Sequence, residues 1–210
     1  MNLQRAIKSI IYLVVFTWTV FLFVEGQALQ ASFLKPLSGV TTVVIWIAIA
    51  FDLYLWKWPI FRWFVKRPAV DGSWRVELQS NWIDPATNQG IPPIEAFMVI
   101  TQTLSTLTMR LMTPESTSKL VGAEIICAPD KIYCISGVYH NEPAYSVRYR
   151  SEIHYGGLNL QIAEDDKTTM TGHYWTDRKT AGTMTLTERR SKKYQSYAAA
   201  KAGFDGTAKG

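Results

Sequence analysis

From Ile10 to Val24 the chain reads IIYLVVFTWTVFLFV, without a single charged residue. Extended back to Ala6 and on to Ala28, this segment reaches about 20 residues, the length that crosses a hydrocarbon core of roughly 30 Å as a helix. A second apolar stretch runs from Leu37 to Trp58, interrupted only by Asp52 and Lys57. The link Glu25–Pro36 is too short for a domain. The spacing therefore predicts a transmembrane hairpin with helices over residues 6–28 and 37–58.

Basic residues set its orientation. Arg5 and Lys8 precede the first helix, and Lys57, Arg62, Lys66 and Arg67 accompany or follow the second, while the link offers only Lys35 beside Glu25. By the positive-inside rule both termini, and all that follows residue 67, face the cytoplasm. Trp56, Trp58 and Trp63 suit an aromatic belt at that interface. An alternative reading makes the first segment a signal peptide cleaved near Gly26-Gln27-Ala28. The second helix would still leave the following domain inside. Asp52 is costly at membrane depth unless paired, either with a neighbouring cation such as Lys57 or across helices.

The remaining 68–190 is long enough for one domain with one core. Trp74, Val76 and Leu78 alternate with Arg75, Glu77 and Gln79, the period of a half-buried strand. The pattern returns near 94–102, 106–112, 119–127, 131–139, 145–154, 158–163, 169–176 and 182–189. Turn residues such as Pro129-Asp130, Asn141-Glu142-Pro143, Gly156-Gly157 and Asp165-Asp166 separate the runs. This predicts an all-β domain, an antiparallel meander closed into a lipocalin-like barrel of about eight strands, with a sandwich as the competitor. The longest connection, Ser80–Pro93 with Trp82, is placed to lie across a barrel mouth. Residues 191–210 read as a basic flexible tail, disordered or loosely helical.

Net charge is +5, but the basic residues gather beside the apolar segments and in the tail, so no nucleic-acid patch is read from it. Cys127 and Cys134 lack metal-ligand spacing and are expected to be free thiols. His140, His154 and His173 fall on different strands, and no nucleophile elbow or phosphate loop is present, so no enzyme, catalytic residue or metal site is expected.

Binding chemistry is better represented. Tyr145, Arg148, Tyr149 and Arg150 lie together, and Gly172-His173-Tyr174-Trp175-Thr176-Asp177-Arg178-Lys179-Thr180 follows. Rings stack on bases, guanidinium groups fork onto phosphate oxygens, and hydroxyls complete the shell. The candidate ligand-binding residues are Tyr149, Arg150, Tyr174, Thr176, Arg178, Lys179 and Thr180. Alternation turns Tyr149 and Tyr174 inward and Arg148 and Arg150 outward, unless a bulge near the strand end redirects the arginines. The plainer alternative is ordinary strand aromatics with a soluble, charged surface.

Two N-terminal apolar helices, a β-only domain opening with Asp71-Gly72-Ser73-Trp74, and a closing Gly172-x-Tyr-Trp-Thr-x-Arg-Lys-Thr-x-Gly182 together form a layout. It resembles the two-transmembrane, β-strand-rich effectors of bacterial cyclic-oligonucleotide antiphage signalling (CBASS), which work beside a CD-NTase synthase. The resemblance implies a cyclic dinucleotide as activating ligand, with no cofactor and no DNA or RNA partner. It also implies ligand-promoted homo-oligomerisation in the bacterial inner membrane, with disruption of the lipid bilayer and abortive infection. The alternative is a membrane-tethered lipocalin-like barrel for an apolar ligand or a protein partner.

Overall fold

The computed structural model describes residues 12, 15, 16, 18–20, 23, 34–61, 63–84, 87–162 and 168–206, with backbone alone for 34–41. Two compact units emerge: residues 1–66 with 103–105, and residues 67–102 with 106–210.

In the first unit a helix spans Leu34–Leu53 and a 3-10 turn Leu55–Lys57. Pro36 falls in the first helical turn, where its missing N–H costs nothing, and Pro59 follows the end. Val43, Trp46 and Ile47 are exposed. Among the described residues no helix is long and apolar enough to cross a membrane. Most of the expected first span, the possible cleavage site, Arg5, Lys8 and Arg62 lie outside the described residues. Asp52 Oδ1 accepts the backbone N–H of Ser105 at 2.8 Å, and Lys57 Nζ lies over the Trp56 ring.

The second unit is a closed antiparallel barrel of eight strands: β1 (Gly72–Ser80), β4 (Ile94–Gln102), β5 (Leu107–Met112), β6 (Ser116–Cys127), β7 (Tyr133–Pro143), β8 (His154–Ile162), β9 (Met170–Thr176) and β10 (Ala181–Arg190). Each pairs with its neighbour in sequence, and β1 closes the ring by pairing with both β10 and β4. A small hairpin of β2 (Ile83–Asp84) and β3 (Gln89–Gly90) sits in the long connection. Alternation fills the interior core, with Trp74, Val76 and Leu78 of β1, Met98 and Ile100 of β4, and Leu158 and Leu160 of β8, while a bulge after Leu120 shifts the inward phase of β6 to Ala123 and Ile125.

One end is filled. Trp74 donates its indole N–H to the Val70 carbonyl at 2.9 Å, and the Arg189 guanidinium lies over its ring. Arg189 also bonds the carbonyls of Ala69 and Asp71, at 2.8 and 2.9 Å, so the segment entering β1 is stitched across this end.

Three expectations need correction. Residues 145–154 are not a strand. Pro143 ends β7, a 3-10 turn occupies Tyr145–Val147, and β8 starts only at His154. Gly156 and Gly157 are not a turn but lie within β8, because large rings cover them. A Cβ at Gly156 would strike the Tyr139 ring, and one at Gly157 the Trp175 ring. Asp165-Asp166 lies outside the described residues.

The third correction concerns the tail. A helix spans Tyr197–Asp205, with the Ser196 side chain capping Ala199 N–H. Arg190 bonds the carbonyls of Gly203 and Phe204, at 2.8 and 3.1 Å, and so closes the other end. Tyr194, Ala200 and Phe204 bury against Phe97, Val99 and Met112 on the outer face of β4 and β5. Arg75 bridges Glu95 and Asp205 beneath it. The segment is folded because its rings cover an apolar patch that the barrel wall would otherwise expose.

Candidate ligand site at the barrel mouth

Opposite the filled end, the barrel interior opens into a cavity of about 470 Å³, within the range of small-molecule sites. Its deeper wall is apolar, with Leu78, Met98, Met109, Leu158 and Met184. Its rim carries the charged and hydroxyl groups, interleaved with Trp82, Ile91 and Val147, and comes from four connections: Ser80–Pro93, the turn 113–116, the strap 144–153 and the turn 177–180.

The strap is tied on both sides. Ala144 N–H donates to the Glu115 carbonyl at 2.7 Å, and Arg150 pairs with the Glu115 carboxylate at 2.6 Å. On the other side Arg178 Nη1 donates to Ser151 Oγ at 3.3 Å. The turn carrying Arg178 is closed by Thr176 and Thr180, whose hydroxyls meet at 2.7 Å, with Thr176 N–H on the Thr180 carbonyl. Lys179 takes the left-handed conformation, φ 64°, that such a turn requires. Arg178 has no carboxylate in ion-pair reach among the described residues, so an anion at the rim would find a guanidinium without a competing carboxylate.

The expected residues divide. Arg150, Tyr174, Thr176, Arg178 and Thr180 all line the cavity. Tyr149 is 84% exposed and outside the lining, as is Lys179. The inward placement of Tyr149 and outward placement of Arg150 both assumed a strand; in the turn their directions exchange. Arg148 pairs with Glu142 at 3.3 Å and with the Pro143 carbonyl at 3.1 Å.

Sequence reasoning missed several lining residues. Tyr139 stands on the inner face of β7 with its hydroxyl toward the Trp175 carbonyl at 3.4 Å, and burial pushes that phenol well above its usual range. Ser118, Asn141 and His154 are buried and line the cavity. Burial, reinforced by nearby Arg178, holds the His154 imidazole below its ordinary value. The available signal was phase: Ser118 and Leu120 share one face of β6, and Tyr139 and Asn141 one face of β7. Cys127 and Cys134 are free thiols, and among the described residues no cluster of His, Cys, Asp or Glu could hold a metal ion.

Comparison with known proteins adds to this geometry. Residues 65–188 match the family model described as Cap15, cyclic dinucleotide receptor domain. A relative from Staphylococcus schleiferi, CD-NTase-associated protein 15, is 25% identical over 185 residues, covering 88% of this chain and 96% of that protein.

Proposed function

The chain belongs to the family of the Cap15 cyclic dinucleotide receptor domain, and from that membership we propose that its barrel binds a cyclic dinucleotide at the mouth and acts as a CBASS effector. The observation that carries the reading is the layering of the cavity, apolar in depth with Arg150 and Arg178 at the rim. A cyclic dinucleotide has the same layering, with flat bases on a ring that carries two phosphates. Bases enter between Tyr139, Tyr174 and the apolar wall, while the phosphates stay at the rim against the guanidinium groups.

The protein acts as a receptor and carries out no chemistry at this site. Its N-terminal segments anchor it in the bacterial inner membrane as a hairpin, with the barrel in the cytoplasm beside a CD-NTase that makes the ligand. Ligand gathers copies only if it binds the gathered state more tightly than the single one. The strap 144–153 and the connection Ser80–Pro93 are the elements the ligand would touch. Gathered anchors then disrupt the bilayer, which aborts infection.

The test is calorimetric titration of the full chain in detergent with cyclic dinucleotides at low and high salt. Binding that weakens as salt rises supports a phosphate-reading rim. Palmitate binding without dinucleotide binding would replace this reading with that of an apolar-ligand carrier, which the deep wall would suit.

A further inference from the structure

The buried polar side chains among the described residues are Ser73, Gln102, Ser118, Asn141 and His154. Two serve the framework. Ser73 Oγ donates to the Lys192 carbonyl at 2.7 Å and accepts from Tyr194 N–H at 3.3 Å. Gln102 accepts from Val70 N–H at 2.8 Å and donates to the Pro68 carbonyl at 2.9 Å. The other three form a row inside the mouth. Ser118 is the register partner of Asn141 across β6 and β7, Asn141 is that of His154 across β7 and β8, and all three line the cavity. A polar row in an otherwise apolar wall is costly unless its hydrogen-bonding capacity is used.

That capacity can be assigned atom by atom. Asn141 Nδ2 donates to Ser118 Oγ at 2.7 Å and to Ser116 Oγ at 3.2 Å. Ser118 Oγ therefore accepts within the row, and its own O–H is left to donate. Asn141 Oδ1 receives no donor among the described residues. His154 Nδ1 lies 3.0 Å from the Glu152 carbonyl. A carbonyl only accepts, so Nδ1 carries the hydrogen, and in the neutral ring Nε2 is an acceptor. Burial and Arg178 favour that neutral ring. Read across the three strands, the row offers donor, acceptor, acceptor.

We infer that Ser118, Asn141 and His154 read the edge of a base held in the mouth, and that they select guanine. Guanine presents the complement in order: the O6 acceptor, then the N1–H and N2–H₂ donors. Adenine offers one amino donor and a ring acceptor. Uracil ends in a second carbonyl, which would set acceptor against acceptor at His154. A mismatch leaves a buried polar group unpaired, which is the stronger source of discrimination. The charged groups stand outside this row, at the rim, so phosphate contacts position the ligand and the row specifies it. The inference rests on the cyclic dinucleotide reading above.

The test titrates the full chain in detergent with cyclic di-GMP, cyclic di-AMP, cyclic di-UMP and cyclic di-IMP, which is cyclic di-GMP without the N2 amino groups. Cyclic di-GMP should bind about tenfold or more tighter than cyclic di-AMP and cyclic di-UMP, with cyclic di-IMP losing about tenfold. Asn141→Leu should flatten this ranking while keeping the salt dependence that the arginines confer. Ser118→Ala, which removes a single oxygen, provides the same comparison should Asn141→Leu fail to fold. A wild-type chain that binds these dinucleotides without preferring guanine overturns the inference, as does a guanine preference that survives in a folded row variant. Failure of all four to bind overturns the proposed function itself, and this inference with it.

Discussion

Asp177 and Tyr155 grip each other through two hydrogen bonds: Asp177 Oδ2 accepts the backbone N–H of Tyr155, and the Tyr155 carbonyl accepts that of Asp177, each at 3.0 Å. The turn that holds Arg178 is thereby fastened to the first residues of β8, beside His154. Replacing Asp177 by Ala should cost about 1 kcal/mol of stability, the net worth of one such bond. It should also loosen the aim of Arg178, so Arg178→Ala should add less in the Asp177→Ala background than alone. A double-mutant cycle in ligand affinity checks this.

Arg178→Ala on its own should weaken cyclic dinucleotide binding by about 1.5–3 kcal/mol, the scale of a charge-assisted hydrogen bond. Calorimetric titration at fixed salt reads it directly, and unchanged affinity would remove Arg178 from the site.

The Glu115 carboxylate already occupies Arg150, at 2.6 Å and with both side chains more than half exposed. Such a pair contributes little to stability, about 0–1 kcal/mol. Glu115→Gln should therefore leave the melting temperature nearly unchanged and strengthen ligand binding, because Arg150 is released to the phosphates. Weaker binding in this variant would show that the ion pair shapes the site.

Gly156→Ala should destabilise the barrel by about 1–3 kcal/mol, the usual penalty for overpacking, because the added Cβ meets the Tyr139 ring. Denaturant unfolding of the single variant and of Gly156→Ala with Tyr139→Leu measures it. Partial rescue by the smaller side chain is expected.

His154 links stability to pH. Its folded value lies below the ordinary 6.5 of a free imidazole, chiefly through burial, with Arg178 and His140 acting the same way and Asp177 and the Glu152 carbonyl acting against it. The unfolded chain therefore takes up a proton more readily than the folded one. Stability should be full above pH 6.5 and fall as pH drops through that value. Thermal unfolding between pH 7.5 and about 5.5 should show this loss, and His154→Gln should flatten it.

The barrel was legible because a meander shows its period strand by strand. Trp74-x-Val76-x-Leu78 sits in the core as its alternation requires. The strap was not legible: Tyr145, Val147 and Tyr149 alternate as well as any strand, yet eight strands already close the ring and leave no partner for a ninth. The C-terminal helix was legible only as a loose one; its packing was not, because its Ala and Lys content reads as solvent-loving until Tyr194 and Phe204 are seen to cover Phe97. Within the site, the charged turn announced itself through composition. Ser118, Asn141 and His154 did not, because each is unremarkable alone and only cross-strand register brings them together.

β1 is hydrogen-bonded on both flanks, yet the ring is thin at one seam: β5 meets β6 only at Arg110–Met112 against Thr117–Lys119, so β6 from Leu120 to Cys127 has no β5 partner. Among the barrel strands, a neighbour's strand that extends the sheet, the route that open-edged domains take, would find its edge at that seam. Contacts made by side chains alone, on the rim or the outer wall, lack that backbone ladder and are open to reversal when those faces part.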